Sequence, residues 1–369
     1  MKRITLSPRG RLASRLDICI ILFMWFMLFT IGVLSFNNKL VFPLILVIVL
    51  LLVFQLKGNF MDIAKAESTN DLTNMVIFGS NLSSESSQSQ HATTPSETMQ
   101  HVIIIVMENK GYDQVIGSPD APYQSKLAKD YASVSRYYGV YPDSLPNYIS
   151  IISGYPYITN DKDPGTRAPL KEHTIVNLLE SRNLTWKGYF EDMPNICHLK
   201  DSGKSGYIVH HNPFVYFDIR NEDRCNNIVG LDEFLKDLSS GALPNFSFIV
   251  PNNIHDTHDS TVADGDKWLS TFVPKIINSP IFNNTALFIV YDEGKKHDKS
   301  GFGNGLYGVT GGRLPLILVS PLANNGYVSS SEYTHYNLLS TVEKMLNLGN
   351  LGKGDAAAKP MTDLFRNRS

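Results

Sequence analysis

Val102-Ile103-Ile104-Ile105-Val106-Met107 runs without a break into Glu108-Asn109-Lys110-Gly111. A short, continuous apolar run that stops at a polar turn suits a strand buried on both faces, as in the middle of a parallel sheet. The same grammar recurs at 246–250, 286–291 and 314–320. Between these runs lie stretches of helical spacing at 175–181, 231–238, 267–277 and 336–346. Strands alternating with helices predict an α/β domain built on a central, mostly parallel sheet flanked by helices. In such a sheet ligands bind beyond the carboxyl ends of the strands. Glu108-Asn109, the segment 251–259 and Asp292-Glu293 each follow one of the predicted strands directly, so they are expected to meet on one rim.

The chain around this domain has 369 residues, of which 43% are hydrophobic and 18% charged, with a formal net charge of -2. That composition excludes a disordered tail and a disulfide mini-scaffold. Lys and Arg number 33 against 35 Asp and Glu, which leaves no positive surplus for holding a polyanion, so nucleic acid is not expected as a partner. There are 3 cysteines, and Cys19 falls in an apolar stretch, so at most Cys197 and Cys225 can pair with each other.

Four segments are expected. Residues 1–15 are basic, with Lys2, Arg3, Arg9, Arg11 and Arg15; 16–57 hold two apolar runs, 16–36 and 40–56; 58–100 are a Ser/Thr-rich tether; and 101–369 form the folded domain. At about 1.5 Å per residue the first run spans a bilayer core of roughly 30 Å, and the second is near the short limit. A transmembrane hairpin is therefore predicted ahead of the domain. The basic start favours a cytoplasmic N-terminus. Two full crossings would return the domain to the cytoplasm, whereas one crossing would put it outside.

The rim residues carry the candidate chemistry. Glu108, Asn109, Asp292 and Glu293 put oxygen-bearing side chains at the mouths of apolar strands, a costly arrangement that a divalent cation would relieve, zinc or a hard ion such as calcium. His255-Asp256-Thr257-His258-Asp259 sets two imidazoles among two carboxylates, with His258 and Asp259 the first choice for a site and a carboxylate fixing a histidine tautomer. Ser144-Leu145-Pro146-Asn147-Tyr148 opens a predicted helix closed by Gly154. Ser144 there is either an ordinary N-cap or, beside a metal, a nucleophile; Asn147, about one turn on, could donate to a phosphoryl oxygen. His211, in His211-Asn212-Pro213, could bring a further imidazole. His335 would cap the last helix or pack beneath the sheet, and His297 and Asp298 could support the acidic pair.

Taken in order, the stretches His101 to Asn109, Ser144 to Tyr148 with Gly154, His211-Asn212-Pro213, Val250-Pro251-Asn252 with Asp256 to Asp259, Asp292-Glu293-Gly294, Pro315 to Pro321 and Tyr333 to Tyr336 resemble the phosphoesterase family of acid phosphatases and phosphatidylcholine-type phospholipases C, a branch of the alkaline phosphatase superfamily. The resemblance implies a superfamily-type fold and a metal held by Glu108, Asn109, Asp292 and Glu293, with Ser144 and Asp256 adjoining. It implies Ser144 as nucleophile through a phosphoserine intermediate, Asn147 and His258 steadying charge, and Asp259 and His211 beside them. Family members read Asn-Asp-Met-His-Asp where this chain has residues 255–259, so His255 is not carried over. The substrate implied is a phosphate ester, with phospholipid suggested by the membrane runs, and the family's usual outward location implies an extracytoplasmic catalytic domain. The rivals are a sulfatase or phosphodiesterase of the same superfamily, although Ser144 to Tyr148 lacks the usual sulfatase motif, and a membrane-tethered anion-binding domain without turnover.

Overall fold

The computed structural model describes residues 99–160, 164, 168–221, 223–294, 300 and 311–366, all within one compact unit, Ala92–Ser369. The predicted basic segment, membrane hairpin and most of the tether lie outside the described residues, as do His297 and Asp298. Among the described residues no helix is long and apolar enough to cross a membrane.

The strands are β1 (His101–Met107), β2 (Ala132–Tyr138), β3 (Trp186–Phe190), β4 (Ile228–Gly230), β5 (Phe246–Val250), β6 (Thr285–Tyr291), β7 (Arg313–Val319) and β8 (Tyr327–Thr334). They form one sheet in the order β4-β3-β5-β1-β6-β7-β2-β8. β1 lies between β5 and β6, parallel to both, and is buried along nearly its whole length, which is why its sequence is apolar on both faces. The sheet is mixed. β7 runs antiparallel to both β6 and β2, whereas the other neighbouring pairs are parallel. The 314–320 run is therefore a strand as expected but points the other way, and an antiparallel neighbour needs no helical crossover.

The principal helices are α1 (Pro122–Asp130), α2 (Ser144–Ser153), α3 (Ile175–Ser181), α4 (Leu231–Ser240), α5 (Val262–Ile277) and α6 (His335–Met345). All 10 residues of α2 are buried. A helix covered on every side needs its polar groups satisfied internally, and Ser150 and Ser153 donate their hydroxyls back to the carbonyls of Pro146 and Ile149, at 2.7 Å in both cases. It ends at Gly154, whose φ of 71° closes the helix in the left-handed region. Around α2, Phe214 stacks on Trp186 and meets Phe248 edge to face, burying aromatic area against β3 and β5.

Register sets up the functional rim. Met107 pairs with Tyr291 at the carboxyl ends of β1 and β6, so Glu108 and Asp292 leave the sheet side by side. The amide of Asp292 donates to the Met107 carbonyl at 3.0 Å, and the amide of Glu108 donates to the Asp256 carbonyl at 2.7 Å, which draws the loop after β5 over the end of β1.

Candidate active site

Glu108, Asp256 and Asp292 are fully buried, and Ser144 is 4% exposed. Ser144 is the first residue of α2, with Asp143 in the N-cap position, so the N-cap reading of Ser144 is corrected: its hydroxyl turns toward the acids. Ser144 Oγ donates toward Glu108 Oε2 at 3.1 Å and toward Glu293 Oε1 at 3.4 Å. The amide of Asn109 donates to Asp292 Oδ1 at 3.2 Å, joining the two acidic corners through the backbone.

His211 lies between Glu108 and Asp256, its Nε2 3.2 Å from Glu108 Oε1 and its Nδ1 3.3 Å from Asp256 Oδ2. Its ring stacks on Tyr148 at 5.3 Å, with an interplanar angle of 11°. Burial, and then the neighbouring His258, hold His211 well below the ordinary imidazole range. His258 Nδ1 is 2.8 Å from Asp259 Oδ1, the arrangement expected of a carboxylate that orients an imidazole. The His258 amide donates to Asp256 Oδ1 at 2.7 Å.

The acids are under electrostatic stress. Burial, then Asp292, Asp256 and Glu293, push the Glu108 carboxyl well above its usual range. Burial pushes Asp256 and Asp292 up as well. Glu108 Oε1, Asp256 Oδ2 and Asp292 Oδ2 are buried with no hydrogen-bond donor aligned on them. Buried carboxyl oxygens without an aligned donor are costly to keep charged, and a bound cation offsets that cost. An all-oxygen set of carboxylates with Asn109 and a hydroxyl fits a divalent ion. Among the described residues, no His, Cys, Asp or Glu side chains already meet around a single point as a ready-made metal cluster does. Glu108 nevertheless feels Asp292, Asp256 and Glu293 through space, and an ion held by several of them would relieve that repulsion.

Asn147 departs from expectation. Its Oδ1 accepts from the amides of Val140 and Tyr141 at 2.9 and 3.1 Å, and its Nδ2 donates to the carbonyls of Tyr141 and Asp143 at 2.7 and 2.8 Å. Both amide hydrogens are committed, so the side chain holds the turn that delivers Ser144 and has no donor left for a phosphoryl oxygen. His255 turns away from this cluster: its Nδ1 lies 2.9 Å from Glu191 Oε2, and its ring stacks on Trp268.

Other residues of the site gave little sequence signal. Lys110 donates its ammonium to the Thr257 carbonyl at 2.7 Å and toward Asn109 Oδ1 at 3.4 Å, and Thr257 Oγ1 donates to the Glu108 carbonyl at 2.7 Å. Thr257 has φ of 82°, a left-handed conformation that costs a β-branched residue of order 1–3 kcal/mol and persists here under these bonds. A Cβ on Gly265 of α5 would stand 2.2 Å from Thr257 Cγ2, so only glycine allows the helix so close to this loop. The signals were the lysine adjoining Glu108-Asn109 and the threonine inside the His/Asp cluster. His335 is also part of this neighbourhood, with Nε2 2.6 Å from the Asp292 carbonyl.

A family model described as the phosphoesterase family matches residues 118–349. A probable acid phosphatase of Kluyveromyces lactis is 28% identical over 267 residues, covering 69% of this chain and 60% of that protein. A phosphatidylinositol-3-phosphatase of Mycobacterium tuberculosis is 29% identical over 276 residues, covering 74% of this chain and 85% of that protein. The chain therefore spans less than two thirds of the length of the Kluyveromyces protein. Among solved structures, murine ectonucleotide pyrophosphatase/phosphodiesterase 5, an inactive variant in complex with AMP, aligns with a TM-score of 0.50 and 12% identity, covering 72% of this chain and 100% of that one; the likeness is one of fold.

Proposed function

The chain belongs to the phosphoesterase family, and from that premise we propose that it is a metal-dependent phosphoric ester hydrolase with Ser144 as nucleophile. The observation that carries this reading is the Ser144 hydroxyl at the start of a buried helix, 3.1 Å from Glu108 Oε2 and 3.4 Å from Glu293 Oε1. A serine in that position faces acids as well as the positive end of a helix dipole.

Glu108, Asn109, Asp292 and Glu293 would hold the divalent cation, zinc or a hard ion such as calcium, with Ser144 and Asp256 adjoining. When bound, the ion would supply Lewis-acid polarisation of a phosphate oxygen and of the Ser144 hydroxyl. The side chains do the rest. Ser144 Oγ attacks phosphorus in line as its proton passes to Glu108 Oε2, so that an Oγ–P bond forms and the P–O bond to the alcohol breaks. His258, held at Nδ1 by Asp259, protonates the departing alcohol oxygen from Nε2. Water then attacks the phosphoserine and gives a proton to His258, while Ser144 Oγ recovers its own from Glu108, releasing phosphate or a phosphomonoester. His211 keeps Glu108 and Asp256 apart and in place, and Asn147 fixes the turn before Ser144.

The substrate class is a phosphate ester. The mycobacterial relative's name, with the apolar runs at 16–36 and 40–56, supports a membrane-anchored enzyme acting on a phospholipid head group. The disulfide between Cys197 and Cys225 supports an extracytoplasmic catalytic domain, because such bridges persist in oxidising compartments. The test is release from p-nitrophenyl phosphate, its bis-ester, p-nitrophenyl sulfate and phosphatidylcholine by the intact protein and by Ser144→Ala, with and without chelator. Phosphate-ester turnover lost in Ser144→Ala and under chelation is expected. Turnover of the sulfate alone would assign a sulfatase, and anion binding without turnover a tethered receptor.

A further inference from the structure

His335 stands outside the acids and the nucleophile, yet it is bonded to the backbone of one of those acids. It is fully buried at the first position of α6, capped by Thr334, whose side chain accepts from the Tyr336 amide. Its Nε2 is 2.6 Å from the carbonyl oxygen of Asp292, and its Nδ1 is 2.9 Å from the Tyr137 hydroxyl on β2. A carbonyl can only accept, so Nε2 carries the proton, and Nδ1 of the neutral ring accepts from Tyr137.

The Asp292 backbone is thereby held at both of its polar atoms, and its side chain at one oxygen. Its N–H donates to Met107 O at 3.0 Å, its carboxylate takes the Asn109 amide at Oδ1, and its carbonyl takes His335. The carbonyl bond fixes the rotation of the plane that links Asp292 to Glu293, and this plane decides where both side chains point. We propose that His335 is a positioning residue for the acidic pair, pinning the Asp292 carbonyl so that Asp292 and Glu293 stay turned toward Ser144. The inference deepens the metal-hydrolase reading and rests on it for its functional consequence. Without the imidazole the carbonyl is left buried and unpaired, and the peptide gains freedom to rotate. Supports of this kind typically change metal affinity or activity by about 10–100-fold.

The experiment compares wild type, His335→Leu, His335→Gln and Tyr137→Phe as full-length protein. Zinc and calcium chlorides are each titrated calorimetrically, amide exchange is read at residues 292–294, and kcat and KM are measured on p-nitrophenyl phosphate. Expected for His335→Leu are a loss of cation affinity of about 10–100-fold, faster exchange at 292–294, and a fall in kcat larger than the rise in KM. His335→Gln, which keeps an amide donor, should recover much of the loss. Tyr137→Phe, which frees the tautomer but keeps both rings, should show a smaller change in the same direction, and it decides the matter if His335→Leu does not fold. Folded variants with wild-type cation affinity and wild-type exchange at 292–294 would overturn the proposal. A wild type that binds neither cation would instead sink the metal reading, and the exchange data would still decide the positioning role.

Discussion

Among the described residues two clusters of buried acids stand out, and one of these two is built as a site. At the far end of α6, Glu343 and Asp355 are as buried as Glu108 and Asp292. Asp355 is filled by the backbone: its Oδ2 accepts from the Leu351 amide at 2.6 Å and its Oδ1 from the Lys353 amide at 2.9 Å. Glu343, whose Oε1 likewise has no donor aligned on it, is pushed up to about 9, by burial first and by Asp355 second, and so keeps its proton at neutral pH. At the rim, Glu108, Asp256 and Asp292 arrive from different strands and loops, each keeps an unpartnered oxygen, and a serine hydroxyl and two imidazoles stand beside them. Buried carboxylates alone therefore mark nothing. Unfilled oxygens from several elements around an attackable hydroxyl mark a site.

The comparison is most sharply tested by removing the hydroxyl. Ser144→Ala should lower turnover of a phosphate ester by at least about 10⁴-fold, the scale of losing a nucleophile, while the thermal midpoint stays near that of the parent. Glu343→Gln at the other cluster should leave kcat/KM unchanged.

Next in size is Asn147→Ala. It removes the group that bonds the 140–143 turn and leaves buried backbone groups unpaired, so destabilisation of about 2–4 kcal/mol in urea melts is expected, with reduced kcat. Breaking the Cys197–Cys225 bridge, whose partners are 28 residues apart, should cost about 3 kcal/mol, checked by melts of the double Ser variant against the oxidised parent.

The smallest effect separates the clusters by pH. The folded pKa of Glu343 lies above the ordinary value of 4.5, so its contribution to stability is fully present below about 4.5 and is lost as pH rises toward about 9. Glu343→Gln should flatten that decline, seen as a smaller fall in thermal midpoint between pH 5 and pH 9 on the order of a few degrees.

Legibility in the sequence follows burial. The runs that became β1, β5 and β6 are covered on both faces, so their sequences are almost wholly apolar, with Ser247 the one polar residue inside a run, and their ends are readable, and with them the positions of Glu108 and Asp292. β2, β3 and β8 gave no such run. Ala132–Tyr138 and Tyr327–Thr334 mix serines and charges with aromatics because part of each strand is exposed, and Trp186–Phe190 carries a lysine that reaches out to Asp237. The direction of β7 was not legible either, since strand composition does not encode whether a neighbour runs parallel. Acids and the serine could be found because their chemistry is unusual at strand and helix ends. The tasks of Asn147 and His335 depend on which backbone carbonyls and amides come within about 3 Å, and only the tertiary fold decides that.

If the proposed reading holds, the rim acids bind a divalent cation beside Ser144. Metal analysis of the purified full-length protein beside Asp292→Asn and Glu343→Gln tests it most directly. A divalent ion is expected to be retained through gel filtration by the parent and by Glu343→Gln and lost from a folded Asp292→Asn. A parent that retains no ion and hydrolyses phosphate esters at full rate in chelator would contradict it.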